Sequence, residues 1–226
     1  MAVVLAFLAP ASGGAAESFR YSWKLDGFLG AIASLFVPSH GEGLLTIDPQ
    51  AGGLVRSELL VTSRQTRSEE FFRYGAEWDP ESHRTLRAWS DQLWRGEKKT
   101  KQVEIENFGV IDVVSGILAI RHEPPTAPRR LEIWSDGRLY PVLVVPHGTE
   151  PRELAGRTID ARRYAVRGLA IPGRKLWKGE LELWLADDAQ TTPIEILVSR
   201  RGARVRLVLD PAPARPDTVV KKGDAE

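Results

Sequence analysis

The chain has 226 residues and a mass of 25.1 kDa, with 42% hydrophobic and 27% charged residues and 31 basic against 30 acidic side chains. That is the composition of a folded globular protein and excludes collagen, coiled coil and wholesale disorder. A net charge of +1 offers no global field for nucleic acid, and the absence of cysteine excludes disulfide, thiolate-metal and cysteine-nucleophile chemistry.

Residues 1–16, MAVVLAFLAPASGGAA, have the apolar run and small-residue end of a secretory signal peptide, without a basic stretch before the run. They predict export to the periplasm. Residues 17–210 then form one β-rich domain, and the Pro-rich, charged residues 211–226 read as a disordered tail. No later stretch reaches the ~20 apolar residues that a membrane span requires.

From Phe19 onward the dominant period is two, as expected of strands with one buried face. Tyr21, Trp23 and Leu25 alternate with Ser22, Lys24 and Asp26, and Val55, Leu59 and Val61 alternate with Arg56, Glu58 and Thr62. Phe72, Tyr74, Ala76 and Trp78 follow, then Val103 and Ile105. Residues 112–121, DVVSGILAIR, change to helical spacing, with Asp112 as N-cap and Pro124-Pro125 forbidding continuation. Leu131 and Ile133 lead to Asp136-Gly137, a strong hairpin signal, and strands resume at Leu139, Leu181, Ile194 and Val205. The pattern predicts a mainly β fold: a single-domain curved antiparallel sheet, or half-open barrel, of about ten strands with one short helix packed across it. Burial at roughly 25 cal/mol per Å² would make that helix worth several kcal/mol as a plug.

Asp112, Ser115 and Arg121 mark the helix, and Trp184, Leu185, Asp187, Asp188, Pro193, Ile194 and Ile196 form a later Trp-Leu-x-Asp-Asp strand followed by Pro and an apolar run. On these residues the chain resembles the bacterial exported family catalogued as domain of unknown function 3108. The likeness is specific mainly in the second half, and residues 27–43 depart from it. The resemblance implies a half-barrel similar to carrier proteins that ferry lipoproteins through the periplasm, and it implies no catalytic residues.

The residues themselves carry no catalytic constellation. His40, His83, His122 and His147 are scattered, and His40-Gly41-Glu42 lacks further metal ligands. No G-x-S-x-G elbow or phosphate loop is present, and Asp187 and Asp188 would point to opposite faces of a strand or form a turn. Arg204 and Arg206 share one strand face, a solvated surface or a contact for anionic lipid headgroups. The informative excess is in tryptophan, seven in all. Trp134 and Trp184 fall on the polar phase of their strands, so either the sheet is covered on both faces or these rings line a groove. Trp23, Phe72, Trp78, Trp134 and Trp184 are the candidate lining of a site for an acyl chain or lipidated peptide, needing no cofactor or metal. An envelope assembly protein working through protein contacts is the alternative, and an enzyme of envelope glycans or lipids a weaker one.

Overall fold

The structure, a computed structural model, describes residues 15–26, 39–63, 70–82, 84–94, 96–105, 110–135, 138–200 and 203–210. The expected signal peptide and tail therefore lie outside the described residues, apart from Ala15 and Ala16.

Alternating apolar residues build β1 (Glu17–Asp26), β2 (His40–Pro49), β3 (Val55–Ser63), β4 (Phe71–Asp79), β5 (Arg84–Trp94) and β6 (Glu97–Glu104). The short β7 (Val110–Asp112) enters α1 (Val113–His122). β8 (Arg129–Ser135), β9 (Arg138–Leu154), β10 (Arg157–Gly168), β11 (Gly179–Ala186), β12 (Pro193–Arg200) and β13 (Ala203–Leu209) complete the chain. All thirteen join one sheet in the order β6-β5-β4-β3-β2-β1-β13-β12-β11-β10-β9-β8-β7. Every pairing is antiparallel except β7 with β8, which is parallel because the helix carries the chain over between them.

Two features differ from the sequence expectation. The described residues form thirteen strands where the pattern gives about ten, and β9 and β10 are long, at 17 and 12 residues. The alternation marks no strand at β2, β5, β7 or β10; in β5 and β10 arginines and acids interrupt it, Arg84, Arg87 and Asp91 in one and Asp160, Arg162 and Arg163 in the other. Their polar side chains lie at the surface in ion pairs, for example Arg163 with Glu182 and Arg87 with Glu77.

The sheet rolls round the helix. Val114, Ile117, Leu118, Ala119 and Ile120 are buried among inward residues of both halves, including Tyr21, Leu45 and Leu59 on one side and Ile133, Val144, Leu183 and Ile196 on the other. Asp112 Oδ1 accepts from the backbone N–H groups of Val114, at 2.7 Å, and Ser115, satisfying donors that the first turn leaves open. Burial of Asp112 raises its carboxyl above the ordinary carboxylate range, against the lowering by those hydrogen bonds. At the far end of α1 the Arg121 guanidinium donates to Glu17, at 2.7 Å, and to the Gln190 carbonyl. Tyr21 donates its hydroxyl to the Pro193 carbonyl at 2.8 Å, tying β1 to the start of β12 from inside. Burial pushes that phenol above its ordinary range.

Both sides of β8 are covered. Ile133 faces the helix cluster, while Trp134 packs on Ala76 of β4, Ala88 of β5 and Ile105. The two ends of the sheet thus approach through side chains, and β6 and β7 pair with no further strand among the described residues.

Candidate functional site

The antiparallel meander puts opposite ends of the strands at opposite ends of the roll. Glu17 and Leu25 stand eight residues apart on β1, about 26 Å at the usual rise of a strand. The space inside is not continuous between them. Tyr21 and Leu45 are almost wholly buried across the middle. Beside Ile117 and Trp177 only about 20 Å³ remains, little more than one water-sized probe. The helix half of the interior is packed.

The end at Leu25 is different. A cavity of about 210 Å³ opens there between β1, β3, β4, β5 and β13, walled by Trp23, Leu25, Val61, Phe72, Trp94 and Val205. These residues come from the inward phase of their strands, near the ends furthest from Glu17. Trp23 lies flat on β2 because residue 41 is glycine: a Cβ there would collide with the indole and with the Thr62 carbonyl. From that position Trp23 donates its indole N–H to the Thr62 carbonyl at 2.8 Å. Phe72 and Trp94 pack with ring centroids 5.7 Å apart and planes tilted by 40°. Among the described lining residues the polar groups are the two indole nitrogens and the side chains of Thr62, Ser63 and Glu70, and Glu70 is the one charged residue.

A hollow of about 400 Å³ at the opposite end, near Glu17, is larger but of mixed polar and apolar lining, with Arg121, His122 and Gln190 beside Trp78 and Leu118. Volume alone does not make it an apolar site. A third depression, of about 240 Å³, lies on the outer face between Arg20, Glu42, Leu60 and Asp210.

The five ring residues singled out from the sequence do not meet. Trp23 and Phe72 share the apolar cavity. Trp78 is buried at the other end, and Trp134 is under the overlap of β8 on β4 and β5. Trp184 lies on the outer face, packed with Ala161, Ala186, Ile194 and Leu197. Its ring is covered by the guanidinium of Arg152 at 4.1 Å and of Arg163 at 5.6 Å, and it donates its N–H to Glu150 at 2.6 Å. Of the two readings the polar-phase tryptophans allowed, covering of the sheet on both faces holds for Trp134 and Trp184. Trp94, Leu25, Val61, Val205 and Glu70 went unselected, although each apolar one lay in its strand's inward phase.

The marked polar residues are structural in their contacts. Asp112 caps the helix and Arg121 anchors its end. Ser115 is buried in the first turn, Asp187 pairs with Arg162 at 3.1 Å, and Asp188 accepts from the Gln190 N–H in an Asx-type turn. Pro193 accepts from Tyr21. Arg206 bonds Asp26 at 2.7 Å and also Glu195, so it is engaged within the fold rather than offered to a headgroup. Among the described residues, no group of three or more His, Asp or Glu is placed to hold a metal ion. No described helix is long and apolar enough to cross a membrane.

No family model and no curated protein matches this chain. Among solved structures it is similar to a β-barrel-like protein of domain of unknown function DUF1849 from Brucella abortus, with a TM-score of 0.52 and 7% identity over 85% of this chain and 94% of that one. It is also similar to the hypothetical lipoprotein YmcC from Escherichia coli, with a TM-score of 0.38 and 12% identity over 85% of each chain. The lipoprotein LppX from Mycobacterium tuberculosis follows, with a TM-score of 0.32 and 11% identity over 88% of this chain and 89% of that one. The first likeness shows a shared β-barrel-like fold.

Proposed function

We propose that this chain is an exported, non-enzymatic protein of the bacterial envelope, of the kind grouped as domain of unknown function 3108, and that it binds the acyl part of a lipid or lipidated peptide. The observation that carries this reading is the 210 Å³ cavity walled by Trp23, Leu25, Val61, Phe72, Trp94 and Val205. Among the described residues nothing covers this apolar surface, which is costly to leave in water, at roughly 25 cal/mol per Å², unless a partner covers it. The cavity is smaller than the roughly 300–1,000 Å³ of sites that enclose a whole drug-sized ligand. It therefore takes one segment of a larger molecule, as an acyl chain is.

The test is a titration of the purified chain with monododecanoyl glycerol, read by tryptophan fluorescence and by native mass spectrometry. Two of the seven tryptophans line the cavity, so binding changes the emission saturably and adds one ligand mass. Val205→Asp, at a half-buried wall position, abolishes both changes. A flat titration together with no copurified lipid would sink the reading.

A further inference from the structure

The described residues expose one large apolar side chain, Leu176, at 47%. It stands on the loop between β10 and β11, and its place there is fixed from both sides. Arg174 donates its backbone N–H to the Ile171 carbonyl at 3.1 Å across Pro172 and Gly173, and Gly173 takes the positive φ of 76° that the third position of a type II turn needs. Arg174 also pairs with Glu132 at 3.1 Å. Trp177 then turns inward against the core around α1, close to Gly168 and Gly179, where a Cβ would collide with its carbonyl and its indole. Leu176 is thus held at the surface between the anchored Arg174 and Trp177.

Strand register places this loop at the Leu25 end of the roll. Gly179 pairs with Arg200, Arg200 with Ala203, and the next residue, Arg204, with Asp26. Lys175 and Lys178 flank Leu176, and Lys24, Lys98, Arg138 and Arg204 stand at the same end. All six cations are exposed, and among the described residues none is in an ion pair. Acids near them are already engaged: Asp26 with Arg206, Glu97 with Lys99, and Glu180 with Arg167.

We propose that this end of the roll docks on a bilayer surface rich in anionic lipid, with Leu176 entering the interface and the flanking lysines meeting headgroup phosphates. One half-exposed leucine is far too little for a stable protein interface, which needs about 800 Å² per partner round an apolar centre. It suits the boundary between headgroups and acyl chains. There a short apolar tip adds its burial to roughly fivefold in partitioning from each basic side chain. Flexible, hydrated lysines spread round a rim also fit a diffuse sheet of charge better than one carboxylate. The apolar cavity lies at this same end, so a docked chain holds it toward the bilayer, but docking does not require that the cavity be filled.

The test is sedimentation of the full chain with vesicles of phosphatidylcholine alone or with about a third phosphatidylglycerol. At low ionic strength the chain is expected to partition at least about tenfold better into the anionic vesicles, and the preference should collapse in about 0.5 M salt. Lys175→Glu together with Lys178→Glu should remove at least about tenfold of it, and Leu176→Ser should weaken binding several-fold while leaving its salt dependence. Orientation is read separately. The chain has no cysteine, so an environment-sensitive dye can be placed on Leu176→Cys or, at the opposite end, on the exposed Arg157→Cys. Only the first should shift to shorter-wavelength emission on anionic vesicles. Equal or absent partition into the two vesicle types overturns bilayer docking and leaves the loop to a protein partner. Partition that survives both sets of substitutions, or an equal response from the dye at residue 157, overturns docking by this end. Acyl binding is untouched by any of these results, since it is read from soluble monododecanoyl glycerol.

Discussion

The two halves of the roll are built from the same kind of strand and end in different states. Around α1, inward residues such as Val114, Ile117, Leu183 and Ile196 are at most 2% exposed and leave almost no space. Around Trp23, the inward residues Leu25, Val61, Phe72 and Val205 are half-buried and enclose a cavity. The difference is one element. The helix supplies a second apolar layer to the half it crosses, and no described element does so at the other end. Alternation along a strand makes a face that wants covering, and what covers it decides between core and site.

Equivalent truncations in the two halves should therefore behave differently. Ile117→Ala is expected to cost about 3 kcal/mol, since it leaves a void in close-packed surroundings, and urea denaturation would read this as a lower midpoint at unchanged slope. Phe72→Ala, at the half-buried mouth, is expected to cost clearly less in stability but to weaken monododecanoyl glycerol binding more than Ile117→Ala does. If the two variants lose stability equally, the contrast between the halves is not real.

Tyr21→Phe lies at the boundary. It removes the hydroxyl that donates to the buried Pro193 carbonyl and is expected to cost about 1–2 kcal/mol by the same denaturation assay.

A smaller effect sharpens the description of the packed half. Asp112 is buried and its carboxyl is raised, so its contribution to stability is present in full below the unfolded-state pKa and is lost as pH rises through the higher folded-state value. Asp112→Asn keeps an acceptor for the Val114 and Ser115 N–H groups and removes the titration. The stability difference between wild type and Asp112→Asn should move in favour of the variant between pH 4 and pH 7. A difference that stays level over that interval contradicts burial as the dominant influence on this carboxyl. Asp112→Ala removes the cap altogether and is expected to cost about 1 kcal/mol.

Much of the fold was legible in sequence because its signals are local. Alternation at residues 21–25 and 72–78 marks inward faces, and Asp112 with Pro124-Pro125 brackets the helix within a residue of its observed ends. The register agrees with the Asp136-Gly137 turn, since Ser135 pairs with Arg138, although the turn residues lie outside the described ones. β10 was missed because Arg162 and Arg163 satisfy their charges through pairing with Asp187 and Glu182, information that resides in another strand. The site was half legible for a related reason. A period of two tells which face a residue occupies, not which end of the roll it reaches. Trp23 and Trp78 share the inward phase yet belong to opposite ends, because the register from β1 through β2 and β3 to β4 places them there. Trp134 and Trp184 look outward-facing and polar in phase, and only the overlap of β8 and the arginines of β9 and β10 explain their burial.

The meeting of the sheet's two ends through Trp134, Ala76 and Ala88 has a mechanical consequence. A barrel sealed by backbone hydrogen bonds has a circumference set by strand number and stagger, and changing it means breaking a ladder. Among the described residues that seam is made by packed side chains, so loosening it costs dispersion contacts rather than a ladder of backbone hydrogen bonds. Spacing there is set by side-chain size, and Ala88→Val, at a fully buried position, would push the two sheet ends apart locally.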